Sequence, residues 1–171
     1  ISQIIKKIKR LSESKKLMIS SVESCTGGLI SKLLTDFPGS SSFFDSAIVS
    51  YSNNSKIRLL NVSPNTLSAF GAVSDRVVIE MAENMIRISS CSIAIAVSGI
   101  MGPNSDGTDK PVGLVWICIM SSNGVCSTKS LNLKGSRKEN REKTAHEGLT
   151  YLYDFLNPVS YTHLTLPTTK Q

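Results

Sequence analysis

The junction around residues 18–28 constrains this chain more than any other stretch. An apolar run from Met18 to Val22 gives way to Glu23-Ser24-Cys25-Thr26-Gly27-Gly28, and the spacing of Leu29, Ile30, Leu33 and Leu34 predicts a helix directly behind it. A strand that ends in small polar residues and opens a helix is a natural anion site. The first helical turn has unpaired N–H groups and the positive end of the dipole. Gly27 and Gly28 leave room for a ligand against the backbone. The segment is therefore expected to cradle a small anion, a phosphate above all.

The remaining sequence alternates in the same way. Helices are expected over 2–16, 27–36, 52–60 with Ser52 as cap, 63–70 with Pro64 in its first turn, 74–88, and 137–156. Strands are expected over 18–22, 46–51, 93–98, 112–120 and 125–133, the last two joined by a hairpin at Ser122-Asn123-Gly124. Residues 99–111 read as a glycine- and proline-punctuated loop. This order predicts an α/β domain: a three-layer α/β/α sandwich with a mixed, mostly parallel sheet, over residues 1–157. Residues 158–171 share no pattern with the rest and read as a disordered or foreign tail. The chain opens at Ile1 rather than methionine, and a few preceding residues are expected.

Charge and cysteine content narrow the function classes. Of the net charge of +6, five units fall within residues 1–16, where six basic side chains face only Glu13. Ile1, Ile4, Ile5, Ile8 and Leu11 sit at helical spacing, so these lysines read as the wet face of a packed helix rather than a nucleic-acid or membrane surface. That stretch does not have the charged head and apolar block of a signal peptide. No apolar run is long enough to span a membrane. Cys25, Cys91, Cys118 and Cys126 show no paired spacing and no histidine company, so no metal is expected, and a reducing, cytoplasmic setting fits best.

For metal-free hydrolysis, three nucleophile regions stand open: Ser24, Cys25 or Thr26; Ser40, Ser41 or Ser42; and Ser98. No histidine is well placed to serve any of them. Base chemistry falls to lysine, which needs a depressed pKa, and Lys56 in the first turn of a helix capped by Ser52 is placed for that. By spacing alone Lys56 is equally a commonplace surface lysine. Tyr51, just before it, could relay a proton. Arg137 and Arg141 share one helix face and could clamp a phosphate or carboxylate, or simply solvate a helix end.

Six segments in order then carry a family resemblance: Glu23-Ser-Cys-Thr-Gly-Gly28, Pro38-Gly-Ser-Ser41, Tyr51-Ser-Asn53 with Lys56, Gly71-Ala-Val-Ser74, Ser98-Gly-Ile-Met-Gly-Pro103 and Lys110-Pro-Val-Gly113. Over residues 5–156 the chain resembles the CinA C-terminal domain, the nicotinamide mononucleotide deamidase family. The resemblance implies an amidohydrolase that turns nicotinamide mononucleotide and water into nicotinate mononucleotide and ammonia, with no cofactor, as a homo-oligomer. It implies Ser41 as nucleophile, with Lys56 and Tyr51 as its catalytic partners. It implies substrate contacts from Glu23, Ser24, Cys25, Thr26, Gly27, Gly28, Ser98, Gly99, Gly102 and Arg137 or Arg141. Ser98 stands where the family usually has threonine, Met101 where it has alanine, and Ser136 where an aspartate usually precedes the arginine. A non-catalytic nucleotide-binding adaptor and a Cys25 hydrolase are the competing readings.

Overall fold

Strands whose two faces are both apolar must be covered on both sides, and the helices of this chain divide to do so. The computed structural model describes residues 1–157, and the expected tail at 158–171 lies outside the described residues. In chain order the elements are α1 (Ser2–Lys15), β1 (Ile19–Glu23), α2 (Leu29–Thr35), β2 (Phe44–Val49), α3 (Asn53–Leu60), α4 (Pro64–Phe70), α5 (Asp75–Ser89), β3 (Ile93–Gly99), β4 (Leu114–Ser121), β5 (Cys126–Asn132) and α6 (Arg137–Leu156). A single 3₁₀ turn, Ser40–Ser42, precedes β2. The strands form one sheet in the order β2-β1-β3-β4-β5.

β1 runs parallel to β2 and β3, whereas β3–β4 and β4–β5 are antiparallel. The sheet is mixed, as expected, but its pairings divide two and two rather than being mostly parallel. The cause lies in the connections. β3 returns through a helix-free loop over residues 100–113 and β4 through a hairpin, and neither supplies the crossover helix that a parallel neighbour requires. β2 starts two residues earlier than expected.

Side-chain alternation sorts the two cores. Ile19, Ile93, Ile95, Val97, Ile117 and Ile119 pack with α1, α2 and α6. Val22, Ala94, Ala96, Cys118 and Met120 pack with α3, α4 and α5. The alanines of β3 let the large residues of α5, Val77, Met81 and Met85, approach the sheet closely. The wet face of α1 is as expected: Ile5 and Ile8 are buried, and Lys9 pairs with Glu13 at 2.9 Å. The serine caps also form. Ser52, Ser63 and Ser74 accept from Ser55 N, Asn65 N and Val77 N, and Ser136 joins Glu139 in a capping box.

The topology points to one end of the sheet. The chain leaves β1 towards β2 and leaves β3 towards β4, on opposite sides, and beyond the carboxyl ends at such a switch point open α/β sheets place their binding crevices. Among the described residues no helix is long and apolar enough to cross a membrane.

Two glycines test this packing. In α6, a Cβ on Gly148 would lie 3.4 Å from Ile95 Cδ1 and 3.6 Å from Ile30 Cδ1, which is ordinary contact. Gly148→Ala should therefore raise stability by about 0.5–1 kcal/mol through helix propensity, measured by urea unfolding. A loss would mean that α6 packs on the sheet more tightly than described. Gly113, with φ +96°, would place a Cβ 1.9 Å from Leu133 O, and Gly113→Ala should cost more than about 2 kcal/mol.

Candidate functional site

The opening hexapeptide splits between the two faces of the sheet. Glu23 turns towards α2, and Ser24, the next residue, turns towards α3. Glu23 is fully buried. Its Oε1 accepts from Thr26 Oγ1 at 2.6 Å, Gly28 N at 3.2 Å and Ile30 N at 2.9 Å, and its Oε2 accepts from Ser31 N at 2.9 Å. The N–H groups expected to cradle a phosphate are thus already taken by a carboxylate of the chain itself. Glu23 and Thr26 are fully buried, and Cys25 packs into the core. Burial pushes the Cys25 thiol up to about 12. At neutral pH it stays protonated, against the Cys25 hydrolase reading. Within the hexapeptide, Gly27 is exposed and Gly28 half-buried.

On the other face lies Lys56. Ser52 caps α3 and puts Lys56 in its first turn, as expected, yet its side chain turns inward and is only 1% exposed. Lys56 Nζ reaches Ser24 Oγ at 2.9 Å, Ser50 O at 2.9 Å and Tyr51 O at 3.1 Å. Burial without a carboxylate partner lowers its pKa from 10.5 to about 8. The neutral amine has two N–H bonds and one lone pair. In the structure Nζ donates to Ser24 Oγ, and Ser24 Oγ donates to Tyr51 O at 3.4 Å. A neutral amine that kept its two carbonyl bonds would turn its lone pair to the Ser24 hydroxyl. That is the arrangement of a general base beside a nucleophile.

The ladder carries past the strand ends, because Ser50 N donates to Glu23 O at 2.9 Å and Ser24 N to Val97 O at 3.1 Å. Ser50, Ser24 and Ser98 therefore stand abreast on the α5 face, beside the lysine. Ser98 is 1% exposed, and Ser50 Oγ is buried with no hydrogen-bond partner. Sequence reasoning passed over Ser50. Its one signal is strand parity with Ile48, which packs on the same face.

Ser41 is elsewhere. It lies exposed in the 3₁₀ turn before β2, where Ser42 Oγ bonds Glu13 Oε2 of α1 at 2.6 Å. Lys56 meets the opposite end of that strand. Six residues of β2 separate them, roughly 17 Å at the usual rise. The expected Ser41–Lys56 pair is therefore not made within one chain. The Tyr51 phenol also misses the amine: it accepts from Arg137 Nη2 at 2.7 Å, and it is the Tyr51 main-chain carbonyl that touches Lys56.

The arginines and the 100–113 loop close the rim. Arg137 Nη1 donates to Gly102 O at 2.8 Å, so this side chain ties Tyr51 to the loop after β3. Arg141 donates from Nε to Cys25 O at 3.2 Å and from Nη2 to Thr26 O at 2.9 Å, bracing the β1–α2 turn against α6. Asn140 Nδ2 holds Met101 O at 3.0 Å, and Met101 is buried in the core. Lys110 Nζ donates to Phe70 O and Val73 O, fixing the far side of the loop to the end of α4. Gly99 lies close against Val115 and Leu114 O. Hydrogen bonds thus link Ser24, Lys56, Tyr51, Arg137 and Gly102 at the carboxyl end of β1, with Arg141 bracing the turn beside them, whereas Ser41 lies at the other end of β2.

The family model of the CinA C-terminal domain matches residues 1–156. The chain is 41% identical to nicotinamide-nucleotide amidohydrolase PncC of Enterobacter agglomerans, over 84% of this chain and 88% of that relative. It is also 41% identical to a CinA-like protein of Chlorobium limicola, over 88% of this chain and 37% of the relative. The chain spans about a third of the length of the first curated relatives it matches, which include one from Halothermothrix orenii. Among solved structures, the competence/damage inducible protein CihA from Agrobacterium tumefaciens superposes with a TM-score of 0.86 at 36% identity, covering 91% of this chain and 94% of that one.

Two measurements probe the buried charges. Glu23→Ala strands three main-chain donors and should cost about 3 kcal/mol or more in urea unfolding, with or without any ligand. A ligand cradle that had no structural duty would lose far less. For Lys56 the unfolded chain binds more protons than the folded one between about pH 8 and 10.5. Stability should therefore rise with pH across that window, and Lys56→Met should abolish that rise.

Proposed function

Since the chain belongs to the CinA C-terminal domain family, we propose that it is a nicotinamide-nucleotide amidohydrolase, with Ser24 as nucleophile and Lys56 as general base. The observation that carries this reading is the buried amine 2.9 Å from Ser24 Oγ, its two other hydrogen bonds spent on Ser50 O and Tyr51 O. The similarity to a relative named nicotinamide-nucleotide amidohydrolase supplies the substrate class.

In this mechanism neutral Lys56 takes the Ser24 proton as Oγ bonds to the carboxamide carbon of nicotinamide mononucleotide. The carbonyl π electrons move onto oxygen, where Ser98 and loop N–H groups steady the developing charge. The intermediate collapses, the C–N bond breaks, and the Lys56 ammonium returns its proton to the departing nitrogen, which leaves as ammonia. Lys56, neutral again, deprotonates the water that cleaves the acyl-enzyme and frees nicotinate mononucleotide. Burial gives the lysine a pKa of about 8, close enough to neutrality for both directions of transfer. Arg137 is the side chain best placed for the phosphate, because it can exchange the neutral Tyr51 phenol for an anion. The reading keeps the Ser/Lys chemistry implied by the family resemblance and moves the nucleophile from Ser41 to Ser24.

Ammonia release from nicotinamide mononucleotide tests it. Wild type should turn over, with kcat/KM rising as pH passes through about 8. Ser24→Ala and Lys56→Met should each lose roughly 10²–10⁴-fold or more, while Ser41→Ala stays within a few-fold of wild type. No release by wild type would favour the non-catalytic adaptor. Loss in Ser41→Ala with retention in Ser24→Ala would overturn the assignment of the nucleophile.

A further inference from the structure

On the opposite half of the sheet, two cysteines outside the crevice face each other. Cys118 is in the middle of β4 and Cys126 is the first residue of β5. In the antiparallel register Cys126 stands opposite Met120 and Cys118 opposite Thr128, so the two are diagonal neighbours on one face. Their sulfurs are 3.5 Å apart, within hydrogen-bond contact. Cys118 is buried, whereas Cys126 is the one exposed thiol of the four. Cys25 and Cys91 are buried and enter no such contact.

We propose that Cys118 and Cys126 form a thiol–disulfide exchange site, at which a small-molecule disulfide such as oxidised glutathione converts them to a Cys118–Cys126 disulfide. The asymmetry of exposure sets the order of steps. Cys126, as thiolate, attacks one sulfur of the reagent; a Cys126–glutathione bond forms, the reagent's S–S bond breaks, and one glutathione thiolate leaves. Cys118 then gives up its proton to solvent and attacks the Cys126 sulfur, expelling the second glutathione. Two protein thiols are oxidised and one disulfide is reduced to two thiols, so electrons and atoms balance.

The sulfur–sulfur contact supports the first step. With Cys118 as donor and the Cys126 sulfur as acceptor, the hydrogen bond favours thiolate at the exposed position. Once Cys126 is in the mixed disulfide that bond no longer holds the Cys118 proton, and burial alone opposes its loss. Closing to a bonded distance of about 2.05 Å requires further approach of the two strands. Cys126 is the first residue of β5, one position after Val125, whose carbonyl accepts from Ser121 N at 2.9 Å, so the approach involves the closing turn of the hairpin. Access rests on the exposure of Cys126; an open cleft lined by Glu83, Ile86, Arg87, Met120 and Ser121 lies beside its strand partner.

The test exposes the folded, fully reduced protein to oxidised glutathione, followed by intact mass, thiol counting and peptide mapping without reductant. Wild type should lose two of its four thiols and two hydrogens in mass, with the linkage mapped to Cys118–Cys126. Cys118→Ser should stop at the glutathione adduct on Cys126, and Cys126→Ser should remain unmodified. Wild type that accumulates the adduct without resolving it, keeps all four thiols, or links any other pair would overturn the proposal. Both variants remove a single sulfur contact, and native mass and circular dichroism confirm that each is folded before exposure.

Discussion

One buried carboxylate organises the working end of this molecule. Glu23 sits where β1 ends, and it gathers the free N–H groups of Gly28, Ile30 and Ser31 together with the Thr26 hydroxyl. Those groups would otherwise point at solvent or at a ligand. By taking them, Glu23 locks the angle between β1 and α2. Side-chain alternation does the rest: with Glu23 committed to the α2 face, Ser24 must turn to the α3 face and meet Lys56. The chemistry of one residue therefore follows from the structural duty of the residue before it.

Lys56 depends on the same logic. An amine withdrawn from water without a carboxylate partner is an expense in stability. The fold tolerates it because Ser50 O, Tyr51 O and Ser24 Oγ meet all three of its hydrogen-bonding directions. The arrangement serves either protonation state, since the charged form donates to all three acceptors and the neutral form accepts from the serine. A group whose charged form burial disfavours, yet which keeps its hydrogen-bond partners in either state, can pass a proton back and forth with little rearrangement of its neighbours.

Much of the architecture was legible in the sequence because local signals and tertiary packing agree. Ser52, Ser63 and Ser74 cap the helices they precede, and the spacing of Ala145, Leu149, Leu152 and Leu156 marks the buried face of α6. The site was less legible, for reasons of direction rather than composition. A strand–glycine–helix junction looks the same whether its N–H groups await an anion or are filled from within, and only the inward path of Glu23 decides between them. Lys56 in a first turn is consistent with a solvated or a buried amine until α3 is laid against the sheet. Ser41 and Lys56 are close in sequence, yet an extended strand lies between them, and an extended strand is the most efficient way a chain has of keeping two residues apart. A family resemblance names residue types in order, but it does not say that they meet within one copy.

Lys110 shows what the long loop after β3 is free to do. Its amine is bonded to Phe70 O and Val73 O, at the corner where α4 gives way to α5, while Asn140 and Arg137 hold Met101 O and Gly102 O from the other side. The segment is therefore staked at both ends to different layers of the sandwich. A molecule reaching that end of the sheet would meet two anchor points whose ordering entropy was already spent during folding, with the exposed residues 103–109 strung between them.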